Sequence, residues 1–457
     1  MAYGSVHGRK PLERASKISH ANIIANATVA QFLGRCAVPK PAESTVVKQL
    51  LQDVPPVSNQ PILAVVAVDG SMREVPVRDE FPSAAITFFT FGPLLFKLEA
   101  LRQLDDQPFI APEDLARLKN IQRYSLVLPT RNISLEGLTL RDSVRRALHD
   151  FFIARHSDEE PLYKTLQWIL FRGWQTGGDK QWSVPRCPNY DCDERDVVFQ
   201  PRSGFEQPCP SCGKAVYLVD ACRLHERVDE EQGATGITSY VLTLLEQIVL
   251  VHVIRAIWEM KPSLLREVLF IKDGPLACFG QTAPLSKPLR EMAAFLGDQP
   301  NPADSSSRLC FLNLAGLEKS GPFVEHAILV DDHLRPGSVL PMTNDYIYRY
   351  VVPGNPASSD PYGFNTYWGS KLIFKARDNN VYVASVPTAQ GFKPSPQYGD
   401  YLNLTEVLSV LSELRCSMYD NALIPVALAN RLVSLSEVPS SRILETFARE
   451  IVQTSAT

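Results

Sequence analysis

Two aspartates in this chain follow the same local pattern, an apolar β-branched run and then Asp-Gly. Ile62–Val68 (ILAVVAV) leads into Asp69-Gly70-Ser71, and Val268–Lys272 (VLFIK) leads into Asp273-Gly274-Pro275. A carboxylate placed just past a buried strand is held by a rigid element, which suits it for binding a metal or moving a proton. If the two strands lie parallel and adjacent, the aspartates converge. Hard cations such as Mg²⁺ or Mn²⁺ prefer carboxylate oxygen, and such ions promote phosphodiester cleavage. Asp-Gly is also ordinary turn chemistry, so each pattern alone is weak. Glu246 adds a third acid. At helical spacing its neighbours are Leu242, Thr243, Val249 and Leu250, an almost wholly apolar face. An ionised carboxylate there needs a cation, either a metal or a Lys or Arg from elsewhere. Glu259 lies four residues after Arg255 and reads as an ordinary ion pair.

The nine cysteines are an odd number, and four of them fall within 187–212. Cys187-x4-Cys192 and Cys209-x2-Cys212 are separated by sixteen residues, with strand-like VVF between them and AVYLV after them. This spacing predicts a zinc ribbon, in which two knuckles at the ends of short hairpins present four thiolates to Zn²⁺. The pair CPSCG is a strong knuckle, with Gly213 freeing the backbone. The first pair is looser than usual, and Cys222 is an alternative ligand to Cys187. Four thiolates leave no open coordination position, so this metal would be structural. Cys36, Cys278, Cys310 and Cys416 read as ordinary buried thiols.

The elements that must position these groups alternate along the chain. A helical run near Thr45–Gln52 precedes the strand at 62–68, with further strands at Val75–Val77 and Ala84–Phe91. Residues from about Glu99 to Arg172 read as mostly helical, with Thr139 and Asp142 forming a capping box. The cysteine-rich stretch reads as a separate small module. A long apolar helix at 237–260 follows, then the strand at 268–272. Strands are expected at Ala327–Val330, Tyr346–Val352, Lys371–Ala376 and Val381–Val386, the last two joined as a hairpin across Arg377–Asn380. Helices at about 404–415 and 440–453 close the chain. The expected divisions are an N-terminal helical segment (1–54), a first core part (55–100), a helical insertion (101–172), a zinc-ribbon insertion (173–236) and a second core part (237–457).

Composition bounds the reading further. The chain has 457 residues, 45% hydrophobic and 21% charged, with a formal charge of −4. No global basic character advertises nucleic acid, so any such site must be local. The N-terminus lacks the apolar core of a signal peptide, and 237–260 contains Glu246, His252, Arg255 and Glu259. That segment reads as a buried helix and not a membrane span, and a cytoplasmic protein is expected. No GxxxxGK[ST] phosphate loop occurs, so nucleotide hydrolysis by that route is excluded. Arg141, Arg145 and Arg146 could meet phosphate but read as a solvated helix face, His252 reads as packed, and Glu325-His326 and Asp331–His333 read as edge or turn positions.

Strand–strand–strand–helix–strand, with acids on the first strand, the helix and the fourth strand, is the order of RNase H-like nucleases. The sequence resembles the NurA nuclease family, the partners of HerA-type hexameric DNA translocases. The resembling pieces are AVVAVDGSM (64–72), FIKDGPLACFG (270–280), LAGLEKSGPFVEH (314–326), YWGSKLIFKARDNNVYVASVP (367–387) and IPVALANR (424–431). The resemblance implies an α/β fold with an RNase H-like mixed sheet flanked by helices. It implies Mn²⁺- or Mg²⁺-dependent hydrolysis of DNA ends and single strands, by a homodimer docked on a hexameric ATPase, in repair or in defence against foreign DNA. Asp69 and Asp273 match the family's motif aspartates, and Glu246 is matched by its place in the order. Lys319 falls where the family often has a lysine near the scissile phosphate. At Asn430 many relatives carry a histidine, and an amide cannot serve as an acid or base. That departure supports an alternative expectation, a weakly active or inactive DNA-binding adaptor that docks on a translocase.

Overall fold

The segment AVVAVDGSMREVPVR has enough β-branched residues to extend over its whole length, and it does. It forms the fifteen-residue strand β2 (Ala64–Arg78), preceded by the short β1 (Gln52–Asp53). A computed structural model describes residues 17–78, 82–104, 123–156, 160–175, 180–301, 303–357, 359–416, 423–435 and 441–454. β2 pairs antiparallel with β3 (Ala84–Lys97), and β3 with β4 (Tyr124–Arg131). On its other side β2 pairs in parallel with β9 (Val268–Asp273), which is buried on both faces, as a continuous apolar run should be. Next come β12 (Asn313–Glu318), parallel to β9, and then the antiparallel β15 (Val381–Val386), β14 (Ser370–Lys375), β13 (Ser338–Pro341) and β1. The product is a nine-stranded mixed sheet of order β1-β13-β14-β15-β12-β9-β2-β3-β4.

Strand alternation sends β2 and β9 side chains into two cores. Val66, Val68 and Phe270 meet the helix Thr238–Met260 on one face, while Val65, Ala67, Leu269 and Ile271 meet the helices Leu404–Glu413 and Ile424–Val433 on the other. The cysteine-rich stretch forms two hairpins, β5 (Trp182–Arg186) with β6 (Arg195–Phe199) and β7 (Glu206–Pro208) with β8 (Ala215–Tyr217). Its Val184, Val197, Phe199 and Val216 join the same hydrophobic core as Val66 and the long helix. It therefore packs as part of the main body, where a separate small module was expected. A further hairpin joins β10 (Gln299–Asn301) and β11 (Asp304–Leu309).

Several expectations are corrected. Asp69-Gly70-Ser71 makes no turn, and 75–77 is no separate strand, because both lie inside the β2–β3 ladder, with Asp69 opposite Gly92 and Gly70 opposite Phe91. The third strand of the meander is β4, inside a region read as helical (101–172), where YSLVLPTR alternates buried and exposed positions. Residues 327–329 are helical (Pro322–Leu329), with proline at the first turn. Residues 346–350 lie in the helix Asn344–Tyr350, which Thr343 caps by accepting from the Tyr346 N–H. Both were apolar runs too short for periodicity to separate helix from strand. Thr139 caps its helix as expected, but the Asp142 carboxylate turns to Arg145 (2.8 Å) instead of closing a box. The 371–386 hairpin, the 268–272 strand and the helices near 238–260, 404–413, 424–433 and 441–454 are as the sequence predicts. Among the described residues, one helical stretch, Thr235–Met260, is long and apolar enough to cross a membrane, yet 72% of its apolar window is buried inside the fold.

Candidate metal centres

The parallel register of β2 on β9 pairs Val68 with Lys272, which makes Asp69 and Asp273 the next neighbours across the pair. Asp69 is held mid-strand by ladder bonds to β3, while Asp273 ends β9 just before Gly274, whose φ of +84° turns the chain. Gly274 donates its N–H to Leu317 O (2.6 Å), tying that turn to β12. From the far end of β12, Lys319 reaches back so that its Nζ lies 2.8 Å from Asp273 Oδ2. Glu246 comes from the helix Thr238–Met260. It is buried, and Lys272 Nζ donates to its Oε2 at 2.7 Å. Lys272 also donates to the Asp273 carbonyl.

A close approach at Gly70 admits the glutamate. A methyl group there would lie 2.7 Å from Leu242 Cδ1, 3.0 Å from Phe91 Cβ and 3.2 Å from Glu246 Oε1. Gly70→Ala is accordingly expected to push the long helix off the sheet, lowering stability by about 1–3 kcal/mol as overpacking does. Chemical denaturation of the variant reads this directly, and unchanged stability would mean that the helix yields freely.

The electrostatics of the cluster are those of acids crowded away from water. Asp69 is 3% exposed. Burial, and after it the Asp273 and Glu246 carboxylates, raise its carboxyl from 3.8 to about 7, against the Gly70 N–H that donates to Oδ1 at 2.7 Å. Asp69 Oδ2 is buried with no hydrogen-bond partner, a costly state for a carboxylate oxygen. Glu246 is likewise pushed upward by burial, with Lys272 pulling the other way. An orphaned buried oxygen near other hard carboxylates is what a divalent cation would satisfy, although among the described residues only the four cysteines, and not Asp69, Asp273 and Glu246, bring their ligand atoms within 4.8 Å of one another. Asn430 is exposed on Ile424–Val433, and among the described residues no hydrogen bond joins it to the cluster. Lys272 escaped the sequence reading. A lysine inside an otherwise apolar strand beside a motif aspartate was the available signal.

The second centre lies at the tips of the two ribbon hairpins. Cys187 and Cys192 flank the β5–β6 turn, Cys209 and Cys212 the β7–β8 turn, and all four Sγ atoms lie within 4.8 Å of one another. Cys187 to Cys212 is 3.9 Å and Cys192 to Cys209 is 3.7 Å. The positive φ of Gly213 (+70°) and Asp191 (+59°) shapes the knuckles. Four clustered thiols, three of them buried, could hold a structural metal such as zinc, and the donor set excludes an open catalytic position. Cys222 is not in the group; it is fully buried and faces Cys278. Asn189 Nδ2 donates to Cys187 Sγ (3.3 Å), and Asn189 Oδ1 accepts from Arg145 (3.3 Å). Arg145 also grips Asp220 through two bonds, of 2.9 and 2.8 Å. Its buried guanidinium thus supports the ribbon and is unavailable to phosphate, whereas Arg146 is exposed and pairs with Asp150. His252 packs against Thr165 (2.8 Å) and His326 against Tyr346 (2.9 Å), as structural histidines do.

Fold and site together define a mixed α/β protein with a carboxylate–lysine cluster at its central strands and a four-cysteine ribbon. No known family matches the sequence, and no curated protein matches it. Among solved structures, one titled "Crystal structure of NurA" aligns over 95% of this chain and 97% of its own, with 10% identity and a TM-score of 0.28. A superposition that loose adds nothing to the geometry of the residues themselves.

Proposed function

We propose that this chain is a divalent-metal-dependent deoxyribonuclease of the NurA kind, built on an RNase H-like core. The observation that carries this reading is the buried Asp69 carboxylate, one oxygen of which has no partner, with the Asp273 and Glu246 charges acting on it. The order β2, β3, β4, long helix, β9 supports it, with the acids on the first strand, the helix and the fourth strand as in RNase H-like nucleases. So do the sequence pieces that resemble NurA. The stretch between β4 and the long helix is then an elaborated insertion, and a metal held by the ribbon within it would be structural.

Mn²⁺ or Mg²⁺, when bound, supplies Lewis-acid polarisation of the phosphodiester and a more acidic water. Asp69 and Asp273 would hold the ion from adjacent strands, with Glu246 contributing from the helix. Lys319 is half-exposed and paired with Asp273, so it can exchange that carboxylate for a phosphate oxygen and orient the scissile group. Asn430 offers an amide that could hydrogen-bond phosphate but could not carry a proton in the reaction. We further propose a homodimer that docks on a HerA-type hexameric ATPase in the cytoplasm, by the same resemblance.

The test incubates purified protein and its Asp69→Ala variant with single-stranded and blunt duplex DNA plus Mn²⁺. Cleavage by the parent protein alone is expected. Equal cleavage by both proteins would remove the assignment, and cleavage by neither, with DNA binding and ATPase association retained, would favour the adaptor reading.

A further inference from the structure

The three arginines near the start of the helix Leu140–Ile153 do not share one fate. Arg145 is held by Asp220 and Arg146 by Asp150. The Arg141 side chain makes no hydrogen bond or ion pair among the described residues, and its Nε is buried without an acceptor, a costly state for a donor. The helix end itself is already satisfied, because the Glu230 carboxylate accepts from the Leu140 and Arg141 N–H groups at 2.8 and 3.1 Å. What lacks a partner is the guanidinium. It lines a cavity of about 780 Å³, together with the first cysteine knuckle and with Arg223 and Glu226. That volume falls in the roughly 300–1,000 Å³ range of ligand sites.

The walls carry three arginines, Arg141, Arg186 and Arg223, against three acids, Asp191, Asp193 and Glu226. Arg186 pairs with Asp193 and Arg223 with Glu226, at 2.7 Å each. Formal charge is therefore balanced, and an acidic peptide, all carboxylates and few donors, would meet as much repulsion as attraction. A fitting ligand brings one anionic group for Arg141 and N–H donors for the acids. A nucleotide has both. An arginine fork matches its phosphate, and carboxylates accept from a base edge such as the cytosine amino group. It has a ring face as well, and Tyr190, 73% exposed on the knuckle, offers a ring on which an unpaired base stacks. We propose that this cavity binds one nucleotide of single-stranded DNA, with Arg141 on the phosphate and Tyr190 against the base. The proposal rests on the nuclease reading only for its choice of DNA, and the site shares no residue with the carboxylate cluster. The ribbon then does more than brace the fold, since the Cys187–Cys192 knuckle presents Tyr190 to the strand.

The experiment is fluorescence anisotropy of a short labelled oligodeoxycytidine on the full zinc-loaded chain, without Mn²⁺ so that nothing is cut. Arg141→Gln is expected to weaken binding about tenfold and to lower the slope of log Kd against log salt by about 0.7, as loss of one single-strand phosphate contact does. Tyr190→Ala should also weaken it about tenfold but leave the slope unchanged, the signature of a lost stack. Arg146→Gln, which removes an exposed charge outside the cavity, should change neither. Unchanged affinity in Arg141→Gln or in Tyr190→Ala would overturn the inference, and so would an equal loss in Arg146→Gln. Displacement of the strand by polyglutamate would overturn it in favour of an acidic protein partner. If Arg141→Gln does not fold, the exposed Tyr190 decides alone. A parent chain that cuts DNA with Mn²⁺ yet shows no such dependence loses this site and keeps the nuclease reading. One that binds as expected and never cuts keeps the site and loses the nuclease.

Discussion

Asp69→Asn is expected to abolish cleavage and, in the same molecule, to make the metal-free protein more stable at pH 8. The two effects have one cause. Burial and the neighbouring acids raise the folded-state carboxyl from 3.8 to about 7, while the unfolded chain keeps the ordinary value. Between those values the folded state binds the extra proton, so stability falls as pH rises from about 4 to about 7 and stays low above it. Three pH units at roughly 1.4 kcal/mol each set an upper bound, and a contribution of about 2–4 kcal/mol is expected. Asparagine keeps the shape without the charge and should flatten this part of the pH–stability curve. Adding Mn²⁺ should stabilise the parent protein and leave the variant unmoved. On the activity side, loss of a ligand that holds the ion should cost on the order of 10³-fold or more, about 4 kcal/mol of barrier. Thermal melts at pH 5 and pH 8, with and without Mn²⁺, together with cleavage rates, check both halves. A variant that is no more stable than its parent at pH 8 would mean that Asp69 is not the strained acid described here.

Removing the ribbon metal should have the larger structural effect. In isolated zinc-finger peptides structural zinc contributes about 10–16 kcal/mol at neutral pH, comparable with the whole ~5–15 kcal/mol that keeps a domain folded. Here the ribbon shares its core with the long helix, through Val184, Val197, Phe199 and Val216, and Trp168 and Trp174 stack edge to face in that same core at 5.0 Å. Chelation, or Cys209→Ser, is expected to collapse the hairpins and to lower cleavage without touching a carboxylate. The matching measurements are zinc content by mass spectrometry and the tryptophan emission of Trp168 and Trp174. Full stability and unchanged emission in a zinc-free sample would show that the four thiols need no metal. Inactivation by a chelator then has two sources, and only restoring Zn²⁺ and Mn²⁺ separately distinguishes them.

How much of this was legible in the sequence varies with the kind of signal. The strand at 268–272, the long helix and the 371–386 hairpin were readable, since length and composition settle such runs. β12 and β13 were missed because short buried strands carry no periodicity of their own, and the helices at 322–329 and 344–350 were misread for the same reason. The cysteine spacing specified its four residues, and Cys222 dropped out only when its surroundings were seen. Asp69 and Asp273 were singled out by the strand–Asp-Gly pattern and Glu246 by the apolar face around it, signals that lie in the sequence itself. Lys272 needed it, because nothing in VLFIKD says that its ammonium ends against a glutamate twenty-six residues earlier.

The length of β2 bears on the site in a way that pairwise contacts do not show. Asp69 sits in a fifteen-residue strand whose Val65 and Ala67 enter one core and whose Val66 and Val68 enter the other. A slip of one position against β3 or β9 would turn Asp69 to the opposite sheet face and put Gly70 in its place, while preserving the sheet. The geometry of the cluster is thereby a matter of alignment fidelity, and the β2–β3 ladder shifts register between Pro76 and Arg78. Substitutions around Pro76 could yield chains that fold, bind zinc and are silent, with every liganding residue still in the sequence.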